Sequence, residues 1–301
     1  MPPHPEGALA GRATWRLGRL AYGVAGDGPP VILLHGWPET RRAWRHVVPG
    51  LVDAGHRVIV PDLRGVGGSD RSPGADYSWK GYADDLDAVL AAEQVDGTAI
   101  VGHDMGGVVM FEWALRNPDR VDRLAALSTS FHRYDMVSSY YLSILQAPLL
   151  GRSFMKAMLG NRSGLARALR GNSVDPETFE EADIDAYLEG CGSPESRRAI
   201  LAGYRLLSHN RRRREREVGD VRLDMPALVV WGTRDWALGD EGWKRITADL
   251  HQADVEILEA GHFLMEEQPA RVTELLVDFL SPRVPGGRPF RRGAAAVGAG
   301  A

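Results

Sequence analysis

The chain has 301 residues, 44% of them hydrophobic and 25% charged, with a formal net charge of -4. These globular proportions predict a substantial buried core, and the absence of a basic surplus argues against nucleic-acid binding. A single cysteine, Cys191, excludes an intramolecular disulfide framework and reads as a small buried thiol rather than a nucleophile, since no strand leads into it.

The N-terminal Met1-Pro2-Pro3-His4-Pro5 has no basic start followed by an apolar run, so no signal peptide is expected. No stretch reaches the ~18 apolar residues of a membrane span, and a cytoplasmic protein, monomeric or homodimeric, is the expectation. Arg12 to Tyr22 predicts antiparallel edge strands. Short, continuously apolar runs follow at Val31–Leu34, Val58–Val60, Thr98–Val101, Leu124–Leu127 and Ala227–Trp231, with a weaker one at Val255–Leu258. Such runs suit parallel strands covered on both faces. Helical patterns at Tyr82–Glu93 and Gly107–Arg116 separate them, the second stopped by Asn117-Pro118. Strand and helix in alternation predict an α/β fold with a mostly parallel sheet flanked by helices.

The alternation breaks after Ser130 and resumes at Pro226. Between them Tyr140–Leu150, Phe154–Leu159 and Pro194–Asn210 read as helices, and the run Arg211–Arg214 as the solvated end of one. An insertion of this length is a subdomain rather than a loop, and at a strand's carboxyl end it would sit over the ligand-binding side of the sheet. We expect a core over 1–133 and 218–281, an inserted helical cap over 134–217 and a flexible tail over 282–301.

Chemistry concentrates in Gly102-His103-Asp104-Met105-Gly106-Gly107, between a strand and a helix. That context defines a nucleophile elbow, with Asp104 at the position usually held by Ser. A carboxylate is ionised at neutral pH and needs no base to activate it. It suits displacement at saturated carbon, which leaves an ester on the enzyme. Water must then cleave that ester, with a general base and an oxyanion hole. His262, in a short loop after the last strand, is the expected base. Asp235, beyond the strand ending at Trp231-Gly232, is the expected orienting acid, with Asp240 and Asp220 as alternatives. The backbone N–H groups of Trp37 and Met105 are the expected oxyanion hole, and a cis Trp37–Pro38 bond suits the His35–Glu39 turn.

These motifs resemble those of the α/β-hydrolase-fold epoxide hydrolases. His35-Gly36-Trp37-Pro38 is similar to that family's H-G-x-P, Asp62-Leu63-Arg64-Gly65-Val66-Gly67-Gly68-Ser69 to its D-x-R-G-x-G-x-S, and Gly102–Gly107 to its G-H-D-x-G-G. The resemblance runs from about Arg12 to Leu280. Haloalkane and haloacetate dehalogenases share all three motifs, but typically place Trp or Arg after the nucleophile, where this chain has Met105. The resemblance implies two cap tyrosines that hold the epoxide oxygen. Tyr141, in Tyr-x4-Gln-x-Pro with Gln146 and Pro148, and Tyr204, in Tyr204-Arg205, match those contexts; Tyr140 is an alternative to Tyr141. His35, Pro38, His103 and Tyr140 are expected beside the substrate. The implied reaction converts an epoxide and water to a vicinal diol, with no metal or organic cofactor. A dehalogenase, or a non-catalytic ligand-binding protein on the same fold, are the alternatives.

Overall fold

The computed structural model describes residues 11–15, 18–130, 143–145, 147–218, 222–239 and 241–281. The expected Tyr140, Tyr141 and Gln146, the alternatives Asp220 and Asp240, and the expected tail lie outside them.

The chain opens with an antiparallel pair, β1 (Gly11–Trp15) and β2 (Gly18–Ala25). It continues through β3 (Pro30–Leu34), α1 (Val48–Asp53), β4 (Arg57–Pro61), α2 (Trp79–Ala92), β5 (Thr98–His103), α3 (Asp104–Arg116) and β6 (Val121–Leu127). Then come α4 (Pro148–Leu159), α5 (Arg162–Gly171), α6 (Glu181–Cys191) and α7 (Pro194–Val218). The sheet then resumes with β7 (Ala227–Gly232), α8 (Trp243–Thr247), β8 (Ala253–Leu258), α9 (Leu264–Glu267) and α10 (Pro269–Leu280). The strand order is β1-β2-β4-β3-β5-β6-β7-β8, antiparallel as far as the β2–β4 pair and parallel beyond it.

Continuous apolar strands make sense once the two faces are separated. Ile32, Leu34, Ile100, Ala126 and Val229 point into one core, with α2 and α3. Their neighbours Val31, Leu33, Val101, Ala125 and Val230 point into the other, with α1 and α10. Successive side chains alternate across a sheet, so a strand covered on both faces must be apolar at every position.

β3 pairs with β4 on one side and β5 on the other, so the chain reverses its direction of travel across the sheet there. The crevice beyond the carboxyl ends of such strands is where open α/β sheets bind ligands. Trp37 follows β3 and Asp104 follows β5.

The helices between β6 and β7 bury Leu159, Leu169, Ile184 and Tyr204 against the α2–α3 face. Two of them, α5 and α6, were not separately legible, although their caps are local. Asn161 accepts from the N–H of Gly164 at 2.9 Å, and Glu180 and Asp183 form a capping box. The Arg211–Arg214 run lies within α7, which extends to Val218. No helix among the described residues is long and apolar enough to cross a membrane.

A buried polar cluster joins this insertion to the core. Arg45 bridges Asp183 of α6 at 2.9 Å and Glu266 of α9 at 2.6 Å, Arg42 also reaches Asp183 at 2.9 Å, and the Tyr187 hydroxyl donates to Glu266. Burial outweighs Arg45 and pushes the Glu266 carboxyl up from 4.5 to about 7. The unfolded chain therefore releases that proton first. Its stabilising contribution is complete below about pH 4.5 and is lost as pH rises to about 7. Glu266→Gln removes this titration. The Tm difference between variant and wild type should move in the variant's favour across that interval and stay constant above it. A difference that does not change with pH would remove Glu266 as the titrating group.

Candidate active site

Asp104 stands at the junction of β5 and α3 with φ +46°, a left-handed conformation that is costly for a residue with a Cβ. The turn closes because its neighbours lack side chains. A Cβ on Gly102 would lie 2.6 Å from the Cα of Gly107, and one on Gly106 would lie 2.4 Å from the carbonyl oxygen of Leu34. Thr129 holds the turn from the next strand, its hydroxyl donating to the Asp104 carbonyl at 2.6 Å. This is a role for the Ser128-Thr129-Ser130 stretch that sequence alone did not suggest.

The Asp104 carboxylate is 15% exposed. Its Oδ1 accepts from the Trp37 N–H at 3.0 Å. Its Oδ2 lies 3.6 Å from Nε2 of His262. On the far side of that ring, Nδ1 lies 3.1 Å from both oxygens of Asp235, which is fully buried. Asp235 is itself held in place, its Oδ1 accepting from the N–H groups of Ala237 at 3.0 Å and Leu238 at 2.9 Å. Asp104, His262 and Asp235, far apart in sequence, thus form one line.

The electrostatics follow from that line. Burial alone would raise the Asp104 carboxyl, but the hydrogen bond and charge of His262 outweigh it and hold the group below its ordinary value. Burial alone would lower His262, but Asp235 and Asp104 together raise it well above the usual imidazole range. Both carboxylates thus favour the charged form of the imidazole that lies between them.

The His262 loop is gripped from two sides. Its N–H donates to the Asn172 carbonyl at 2.8 Å. The Glu267 carboxylate accepts from the N–H groups of Gly261 at 3.0 Å, Phe263 at 3.2 Å and Val174 at 2.7 Å. Asn172 and Val174 lie beyond α5, so the insertion helps to position the histidine. Neither Glu267 nor Asn172 was legible in sequence, because each acts through partners distant along the chain.

His35 and His103 require correction. Both were expected beside the substrate, and the structure buries both behind the site. His35 Nε2 accepts from the Leu63 N–H at 3.0 Å, so its Nδ1 donates to the Gly36 carbonyl at 2.8 Å. Burial keeps this imidazole below its ordinary pKa. His103 Nε2 donates to the His262 carbonyl at 2.9 Å, and its Nδ1 meets Glu39 at 2.9 Å. Glu39, fully buried and missed in the sequence, also accepts from the Gly36 N–H at 3.0 Å. Burial would raise its carboxyl, but the facing His103 ring holds it below the ordinary value. The two histidines brace the loops that carry Trp37 and His262. The Trp37–Pro38 peptide is cis.

A cavity of about 420 Å³ opens above Asp104. Trp37, Pro38, Met105 and His262 line it from the sheet side; Phe154, Met158 and Tyr204 line it from the insertion. Tyr204 is 7% exposed, and its ring meets that of Trp37 edge to face at 5.7 Å, which orients the phenol over the crevice. Among the described residues, no group of three or more His, Cys, Asp or Glu side chains is arranged to hold a metal ion. Cys191 is buried away from the cavity, its thiol donating to the Glu39 carbonyl at 3.2 Å, and burial raises its pKa.

A family model described as the alpha/beta hydrolase fold matches residues 29–175. The chain has the α/β-hydrolase fold. Over 281 residues it is 29% identical to the soluble epoxide hydrolase of Corynebacterium sp. (strain C12), covering 88% of this chain and 94% of that protein. Over 308 residues it is 29% identical to epoxide hydrolase A of Mycobacterium tuberculosis, covering 87% of this chain and 94% of that one. Among solved structures, Cfl2 from Burkholderia cenocepacia superposes with a TM-score of 0.80 at 28% identity, over 90% of this chain and 95% of that chain. On this fold the chain carries at its elbow a carboxylate rather than a hydroxyl.

Proposed function

We propose that this α/β hydrolase opens epoxides to vicinal diols through an ester of Asp104. The observation that carries the reading is a pre-ionised carboxylate, with one oxygen held by the Trp37 N–H, facing a cavity that also holds a phenol. The likeness to two proteins named epoxide hydrolases supports it. So does Met105, which brings neither the indole nor the guanidinium typical of dehalogenases at that position.

Oδ2 of Asp104, the oxygen not engaged by Trp37, attacks a ring carbon and displaces the epoxide oxygen. Tyr204 donates its proton to that oxygen, with Tyr141 or Tyr140 as the second donor. Esterification removes the Asp104 charge, and with it one of the two contacts that keep His262 protonated. Its pKa falls, its proton leaves to solvent, and His262 becomes a base at the stage that needs one. It takes a proton from water, whose oxygen attacks the ester carbonyl. The oxyanion forms on Oδ1, facing the N–H group of Trp37, with the Met105 N–H as the second expected donor. Collapse breaks the bond between the acyl carbon and Oδ2, and the departing diol oxygen takes the proton from His262. The second proton of water restores the tyrosine, and the regenerated Asp104 carboxylate draws back onto His262 the proton lost to solvent, so the resting charges return.

The test tracks the oxygen atom. With enzyme in excess over a styrene-oxide-type epoxide in ¹⁸O-water, the first turnover should leave the diol unlabelled and place the label on Asp104. Label in the diol on the first turnover would mean direct attack by water and would remove the ester from the scheme. Halide release from haloalkanes or haloacids, with no diol from any epoxide, would replace the reading with a dehalogenase.

A further inference from the structure

Helix α5 carries three arginines whose surroundings differ. Arg162 pairs with Asp185 at 2.6 Å and with Glu181, while Arg170 pairs with Glu181 at 2.8 Å and donates to the Phe179 carbonyl at 2.9 Å. Both are spent on α6 and the segment before it. Arg167, between them, lines the cavity and has no hydrogen-bond or ion-pair partner among the described residues.

Apart from Asp104 and His262, Arg167 is the one charged side chain among the described residues lining that cavity. Around it the insertion contributes Phe154, Ala157 and Met158, and the β7 side contributes Trp236 and Leu238. Arg167 is exposed, and Trp236 is 55% exposed, whereas Asp104 is 15% exposed. The cavity therefore runs from a reactive floor, past apolar walls, to a mouth flanked by an indole and an unpaired guanidinium.

An unpaired cation beside an apolar channel complements an amphiphilic ligand whose anionic end points outward. A guanidinium presents a planar fork that matches a carboxylate. A single cation balances a single negative charge, and apart from His262 on the floor no second cation among the described residues lines the cavity for a dianionic phosphate. We infer that the substrate is an apolar molecule with a carboxylate remote from its reactive end, and that Arg167 receives this group. For the reactive end the inference rests on the epoxide reading; anion recognition by Arg167 does not.

The test separates the two. Trp37 and Trp236 line the cavity, so indole fluorescence reads its occupancy. The probes are 4-phenylbutanoate and 4-phenylbutanamide, which share an apolar body, differ in charge and carry no epoxide. Wild-type protein should bind the acid about fivefold more tightly than the amide, and added salt should erode the preference. In Arg167→Gln the ratio of the two affinities should fall to about one. A parallel assay with 4-(oxiran-2-yl)butanoate and its amide should show the same preference in KM, again lost in the variant. Equal binding of acid and amide by the wild type, or a preference that survives Arg167→Gln, would overturn the assignment. Selective binding of the acid probe with no turnover of any epoxide would uphold the anion site and overturn the epoxide reading.

Discussion

Replacing Asp104 by Ala should lower kcat/KM on any epoxide substrate by at least about 10⁴-fold, because no other carboxylate among the described residues lines the cavity. Ala at φ +46° carries backbone strain of about 1 kcal/mol or more, so loss of activity could reflect loss of fold. Asp104→Asn is the companion variant, since Asn tolerates the left-handed region and keeps the shape of the side chain. It should fold as the wild type does and be equally impaired in ester formation at early times. It also has a second readout. Without the Asp104 charge, His262 keeps only Asp235 as an anionic partner, so its imidazole pKa should fall toward the ordinary range. NMR titration of the ring measures this. Undiminished turnover in Asp104→Asn would sink the proposed scheme. An unmoved His262 pKa would show that Asp104 does not control the charge of the base.

The second large effect concerns the other half of the cycle. His262→Gln should still form the ester, because the nucleophile is ionised without help, but it should fail to hydrolyse it. We expect kcat to fall by about 10³- to 10⁴-fold, with one equivalent of epoxide consumed in a burst. Intact-protein mass should then rise by a whole epoxide, and peptide mapping should place the gain on Asp104. A gain equal to an alkyl or carboxyalkyl group without its halogen, after exposure to haloalkanes or haloacids, would point to a dehalogenase. Epoxide consumption with normal turnover and no adduct would remove His262 as the base.

Much of the core was legible because the signals are local. The runs Val31–Leu34, Thr98–Val101 and Ala227–Trp231 lie within β3, β5 and β7, since strands buried on both faces must be apolar at each position. The insertion was less legible. Helices α5 and α6 are short and rich in charge, and their apolar residues, Leu165, Leu169 and Ile184, acquire meaning only against the surface they cover.

The site divides along the same line. The elbow could be read from Gly102-His103-Asp104-Met105-Gly106 because a tight turn needs small residues beside it, a requirement set by covalent geometry and sterics within a few residues. His262 and Asp235 could be read from their places after strands, and the fold brings them to 3.1 Å. What polar side chains do beyond the turn is set by partners far along the chain. His35 and His103 carry the same imidazole as His262, yet they are enclosed, one bonded to the backbone of Leu63 and the other to Glu39 and the backbone of His262. Arg167 has the same side chain as Arg162 and Arg170, yet the packing of α5 on α6 leaves it alone facing the cavity. Residue type and turn geometry are written locally and so were determined by the sequence itself. Which imidazole titrates, which carboxylate braces and which guanidinium stays unpaired depend on burial and on contacts across long stretches of chain, and only the tertiary structure decided them.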